Sequence, residues 1–229
     1  MLIIFLILLL LAAIAGPGIW VKHILRKYSE PSDRYRVQGS GAELARHLLD
    51  HFDLKDVGVE LTSAGDHYDP QAKAVRLTED RYQGHSLTAI TVAAHEVGHA
   101  IQHARGERLF RNRQALAEMA ARAQRFGGFV LVAAPAVMLM TRAPGLGLGF
   151  VAIAIGSMFL GTLVQLITLP VELDASFGKA LPVLQDGNYL HDGDLPHARR
   201  ILKAAALTYV AASLLSLLNI GRWLAVLRR

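Results

Sequence analysis

The stretch Ala143–Asp174, APGLGLGFVAIAIGSMFLGTLVQLITLPVELD, runs from Ala143 to Val171 without a charge and then meets Glu172. A bilayer hydrocarbon core about 30 Å thick is crossed by about 20 predominantly apolar helical residues. At about 1.5 Å per residue this run would be about 43 Å long, longer than that core. It therefore reads as a membrane span. Outward from it lie three more uncharged runs: Phe126–Thr141, Ala204–Gly221 and Met1–Val21. The run Phe126–Thr141 is the shortest, and is long enough only if Arg125 and Arg142 snorkel to the interfaces. Four such runs exclude a soluble single domain. The 229 residues contain no cysteine, which also excludes a disulfide-stapled fold, a thiol enzyme and a thiolate metal site.

Four spans place both termini on one side of the membrane and residues 22–125 and 172–203 on the other. The first segment holds 16 Lys+Arg and the second 4, whereas the side of the termini has Arg142, Arg222, Arg228 and Arg229 alone. Orientation follows the number of Lys and Arg, so the large loop is expected in the cytoplasm and both termini outside. Met1–Val21 lacks a basic stretch before its apolar core, and its cations Lys22, Arg26 and Lys27 follow it. That order favours a retained anchor over a cleaved signal peptide. The net charge of +5 thus reads as membrane orientation. No basic–aromatic pattern points to nucleic acid, and none is expected as a partner.

Within the large loop, Ser40-Gly41-Ala42-Glu43 fits a capping box, and Leu44, Leu48, Leu49 and Phe52 follow at helical spacing, predicting a helix over about 41–52. Val57, Val59 and Leu61 alternate with polar residues, as do Val75 and Leu77, with Gly65-Asp66 and Asp69-Pro70 between. That pattern predicts a β-hairpin or a meander of short strands. Ser86 can cap a second helix through Leu87, Ile90, Ala94, Val97 and Ile101 to about His103. A basic helical stretch, Leu109–Arg125, leads into the second apolar run.

The second helix contains His95-Glu96-Val97-Gly98-His99, an HExxH arrangement. Residues four apart stand on one face, about 6 Å apart along the axis, so two imidazoles can converge on one zinc ion. Glu96 can lean over the open metal position as general base. A hydrolytic zinc site needs a third protein ligand and leaves the fourth place to water. His103 lies about 12 Å along the axis from His95, too far for a straight helix to bring both to one ion. Glu172 lies two spans beyond His99, back on the same side, on a helix long enough to leave the membrane. An interfacial acid paired with a nearby Arg is an equal reading of Glu172 on spacing alone.

Thr91–His103 (TVAAHEVGHAIQH), Asp66–Pro70 (DHYDP), Leu169–Ser176 (LPVELDAS) and Ala205–Ala211 (AALTYVA) together resemble the YugP-type neutral zinc metallopeptidases. These are bacterial membrane proteins of the zincin group, distantly similar to the HtpX-type and CaaX-prenyl membrane proteases. The resemblance runs in order from about Ser40 to Val210. It implies His95, His99 and Glu172 as ligands of one zinc ion, a gluzincin-like set, and Glu96 as catalytic base. Relatives often carry an Asp four residues after the ligand Glu; here Ser176 stands there and the nearest acid is Asp174. His67 and Tyr68, or Tyr189, His191 and His197, are candidates to stabilise an oxyanion, although Asp66–Pro70 reads first as turn chemistry.

The expected protein is mostly α-helical and membrane-embedded, with about four transmembrane helices and a cytoplasmic α+β zincin-like catalytic part. The expected boundaries are 1–25 for the first span, 26–125 for the catalytic region and 126–171 for the second and third spans. Residues 172–202 form a cytoplasmic segment carrying the third ligand, and 203–222 the fourth span. The expected activity is endopeptidase cleavage of membrane or juxtamembrane proteins through a zinc-activated water, in the cell (inner) membrane. Its partners are a peptide or membrane-protein substrate and the lipid bilayer, with a second copy or a membrane partner protein as a further option. A zinc-binding scaffold without catalysis, and a metal-free four-span protein, are the alternatives.

Overall fold

The computed structural model describes residues 1–37, 39–142 and 144–218. Ala143, and residues 219–222 at the end of the expected fourth span with Arg228 and Arg229 beyond them, lie outside the described residues. Helix α1 (Leu2–Lys27) carries the first apolar run, with Pro17 inside it and Arg26 and Lys27 in its last turn. Every residue from Leu2 to Leu11 is exposed, a surface that only an apolar surrounding can cover. Among the described residues, two helices are long and apolar enough to cross a membrane, Leu2–Lys27 and Phe159–Asp186. A third counts if the bent pair Arg108–Val130 and Val132–Thr141 forms one span. The bend of 40° falls one turn before Pro135, whose ring clashes with the carbonyl four residues back.

The chain divides into two compact units. The first comprises residues 1–18, 112–169 and 209 onward, and its described residues are almost all helical. Leu215 approaches Gly18, where an added Cβ would lie 2.6 Å from its side chain. Thr162 Oγ1 donates to the Ser213 carbonyl at 3.4 Å. Helix α5 (Arg108–Thr141) meets α6 (Pro144–Leu173) where Gly161 leaves room for Gln124. Arg142, between these helices, adopts a left-handed φ of 54°, which ends α5. The expected second run thus forms the end of α5, and the fourth run lies in α8 (Leu195–Leu218) as far as residue 218.

The second unit, residues 19–111 and 170–208, holds the α/β part. Helix α2 (Gly41–His51) starts at the expected capping box: Ser40 Oγ accepts from the Glu43 amide at 3.3 Å, and the Glu43 carboxylate accepts from the Ser40 amide at 2.7 Å. Leu44, Ala45, Leu48 and Leu49 form its buried stripe. Strands β1 (Gly58–Leu61), β2 (His67–Asp69) and β3 (Ala74–Leu77) form a sheet in the order β1-β3-β2. The expected pairing needs one correction. Strand β1 runs parallel to β3, with Gly58 opposite Ala74, and the hairpin is β2–β3. Alternation marks which face a residue takes and says nothing of strand direction.

In β3, Ala74, Val75 and Leu77 are buried. Arg76 faces away from Val75 and Leu77, on the side of Ala74, and pairs with Glu60 on one neighbour (2.9 Å) and Asp69 on the other (2.6 Å). Asp66 Oδ1 accepts from the Thr78 amide and hydroxyl at 2.7 and 2.8 Å. Asp69 Oδ1 accepts from the amides of Gln71 and Ala72. Asp69 therefore serves its turn, whereas Asp66 ties the start of β2 to the residue after β3. After α3 (Glu79–Tyr82), helix α4 (Leu87–Ala104) begins at Ser86, whose Oγ accepts from the Ala89 amide. Every residue of α4 from Leu87 to Gln102 is buried, which makes it the central element of this unit.

Helix α6 does not open into a loop after Leu173. It continues as a π-helical segment, Asp174–Ala180, and then as α7 (Leu181–Asp186). The chain entering α8 is tied down at Asp194. Arg34 forks onto its carboxylate at 2.7 and 2.9 Å, and the Tyr35 hydroxyl donates to it at 2.6 Å. Burial pushes the Asp194 carboxyl up, but these donors outweigh it and hold it below the usual carboxylate range.

Candidate metal centre

His95 and His99 stand one turn apart on α4, with ring centroids 4.8 Å apart. Glu172, at the end of α6, turns inward and is 1% exposed. Its Oε2 lies 3.0 Å from His99 Nε2 and 3.5 Å from His95 Nε2. Both histidines are buried as well. One potential ligand atom from each of the three residues lies within 4.8 Å of the others. The chain thus returns from α4 through two long helices to place Glu172 beside His99.

The hydrogen-bond network decides what these atoms can do. Ser176 Oγ donates to the Leu202 carbonyl at 2.9 Å, so it meets His95 Nδ1, 3.0 Å away, as an acceptor. Gln102 Nε2 donates to the Val171 carbonyl at 3.0 Å and to Asp174 Oδ2 at 2.8 Å. Its Oε1 is therefore directed at His99 Nδ1, 2.9 Å away. These acceptors assign each ring a proton on Nδ1, and each Nε2 is directed at the Glu172 carboxylate. Three potential donor atoms this close need positive charge among them, which a shared proton or a metal ion supplies. Two imidazole nitrogens and a carboxylate oxygen suit zinc, and imidazoles fixed by hydrogen bonds at their other nitrogen are the usual arrangement of such ligands.

Gly98 explains how the two elements come close enough. A Cβ there would lie 2.7 Å from the Ala175 carbonyl oxygen, so the glycine of HEVGH is the contact point between α4 and the π-helical segment. Insertions of this kind recur at functional sites because they shift the side chains that follow. Glu96 is buried on the same helix, next to His95.

The other candidates are placed elsewhere. His103 pairs through Nδ1 with the Tyr68 hydroxyl at 2.9 Å and stacks on Phe110. Burial pushes the Tyr68 hydroxyl up to about 12, so it stays protonated and donates. Phe110 also lies 6.0 Å from the His99 ring, and His103 therefore flanks the centre without joining the three-residue cluster. His67 Nδ1 lies 2.8 Å from the Gly65 carbonyl. Tyr189 pairs with His47, His191 stacks on Tyr35, and His197 lies beside Tyr28 and Asp194. Gln102 and Ser176 are the partners of the imidazoles that sequence reasoning did not identify. Their signals were positional: three residues after His99, and four after Glu172.

The whole chain, residues 1–228, matches the family described as "Putative neutral zinc metallopeptidase". The chain belongs to this metallopeptidase family. It is 35% identical over 231 residues to the Bacillus subtilis (strain 168) protein named "Putative membrane protease YugP", covering 96% of each chain. No solved structure matches it. Among the described residues, the buried His95–His99–Glu172 group is one that could hold a metal ion.

Proposed function

We propose that this protein is an integral membrane zinc endopeptidase that cleaves membrane or juxtamembrane proteins. Four helical spans would place its catalytic part on the cytoplasmic face of the cell membrane and both termini outside. One observation carries the reading: two Nε2 atoms and a carboxylate oxygen converge in a buried site. His95, His99 and Glu172 would hold one zinc ion through these atoms. Zinc bound there would lower the pKa of water and polarise a substrate carbonyl. Three protein ligands leave a fourth position open. Ser176 and Gln102 hold the two imidazoles in the tautomer and orientation that ligation needs. Glu96 accepts a proton from the attacking water at its carboxylate and returns it to the leaving amine nitrogen.

The test compares the purified wild type with Glu96→Gln in proteoliposomes, measuring zinc content and cleavage of a flexible membrane-anchored substrate. The expected outcome is equal zinc in both and hydrolysis in the wild type alone, because Glu96 is a base and not a ligand. Zinc without cleavage in the wild type would make the protein a metal-binding scaffold. Absence of stoichiometric zinc would overturn the reading.

A further inference from the structure

We infer that the metal centre sits at the apolar boundary of the bilayer, so that the substrate is polypeptide immediately beside the membrane surface. The inference rests on the zinc peptidase reading and adds its depth and substrate geometry. Along α6, Phe159, Leu163 and Leu166 are exposed, whereas Val164, Thr168 and Val171 are buried. This outward face does not end where the uncharged run ends. It continues past Glu172 at Leu173, 38% exposed, and at Phe177 on the π-helical segment, 36% exposed. Spaced four residues apart, they extend an apolar ridge beyond the ligand itself.

Of the charges of the same segment, Glu172 and Lys179 are withdrawn from that face, and Asp174, its side chain 36% exposed, is neutralised in an ion pair. Glu172 turns inward to the histidines. Lys179, its side chain 12% exposed, pairs with Asp174 at 2.8 Å and with Glu107 at 3.1 Å. Pairing of opposite charges is one way charged groups are accommodated next to lipid. A run about 43 Å long must either project from a core about 30 Å thick or tilt within it. Projection would carry Leu173 and Phe177 into water. The apolar face along α6, the inward Glu172 and the paired Asp174 and Lys179 fit the tilted arrangement, with lipid as the occupant of this ridge.

The chain has no cysteine, so single-cysteine variants can be nitroxide-labelled in proteoliposomes and probed by power saturation with oxygen and a water-soluble nickel chelate. Leu166→Cys is the lipid reference and Ser63→Cys the water reference. The expected result groups Leu173→Cys and Phe177→Cys with Leu166→Cys. Zinc content checks each labelled protein; should Leu173→Cys lose zinc, Phe177→Cys decides. A second arm compares one cleavable segment placed directly beside a span with the same segment on a long flexible linker, and faster cleavage of the former is expected. Nitroxides that group with Ser63→Cys, or cleavage independent of the linker, would overturn the inference while leaving the peptidase reading intact. Absence of all cleavage by the wild type counts against that reading, and the nitroxide depth still decides the placement.

Discussion

Ser176 and Gln102 carry one prediction at the scale of single residues. Each offers a hydrogen-bond acceptor to an Nδ1 and so fixes which nitrogen of the ring points at Glu172. Removing an outer partner of this kind lowers metal affinity about 10–100-fold. Ser176→Ala and Gln102→Leu should each fall in that range in a competition titration with a zinc chelator. Glu172→Ala should lose more, because a donor atom itself is gone. His103→Ala should keep near wild-type affinity, since its partners are Tyr68 and Phe110. A Ser176→Ala protein with unchanged affinity would show that His95 needs no partner at Nδ1. His95, Glu96 and His99 were legible because a four-residue spacing on a helix has one geometric meaning. Glu172 needed a fold to bring it back to α4 from far along the chain. The roles of Ser176 and Gln102 depend on which atom of a hydroxyl or amide faces the ring, which residue type does not encode.

At the scale of elements, helix starts were readable and strand direction was not. Ser40 with Glu43, and Ser86 alone, mark α2 and α4 because unpaired amides of a first turn require an acceptor at that position. Strand β1 shows the same alternation whether it runs parallel or antiparallel to β3. The π-helical segment was hidden for another reason. One extra residue in a turn leaves no compositional trace, and DASFGKA reads as the start of a loop after an apolar run. Its consequence is testable at Gly98. A Cβ placed 2.7 Å from the Ala175 carbonyl must push α4 away from the segment that carries Ser176 and follows Glu172. Gly98→Ala should therefore weaken zinc binding and destabilise the fold by about 1–3 kcal/mol, the usual range for overpacking. Chelator titration and denaturant unfolding of the purified protein measure the two effects. Wild-type values for both would mean that the two elements can separate without disturbing the centre.

At the scale of the whole molecule, the membrane arrangement rests on charge and on helix α5. Of the 24 Lys+Arg, 20 lie in residues 22–125 and 172–203, an asymmetry that orients a membrane protein with those residues inside. The expectation turns on whether the end of α5 crosses the bilayer. Its apolar run, Phe126–Thr141, is short for a span, and the 40° bend before Pro135 shortens its reach along the membrane normal. Snorkelling of Arg125 and Arg142 would let it suffice. Two positions resolve this. Ser63 lies in the exposed turn before β2, and Ala143 follows α5 in sequence. If α5 crosses, the two lie on opposite sides; if it lies along the surface, they share a side. In intact cells an impermeant thiol reagent should label Ala143→Cys and leave Ser63→Cys unlabelled until the cells are broken. Protection of both would remove α5 as a span, and labelling of Ser63→Cys would move the metal centre outside the cytoplasm. The cysteine-free chain contributes no background, so each label reports one position alone.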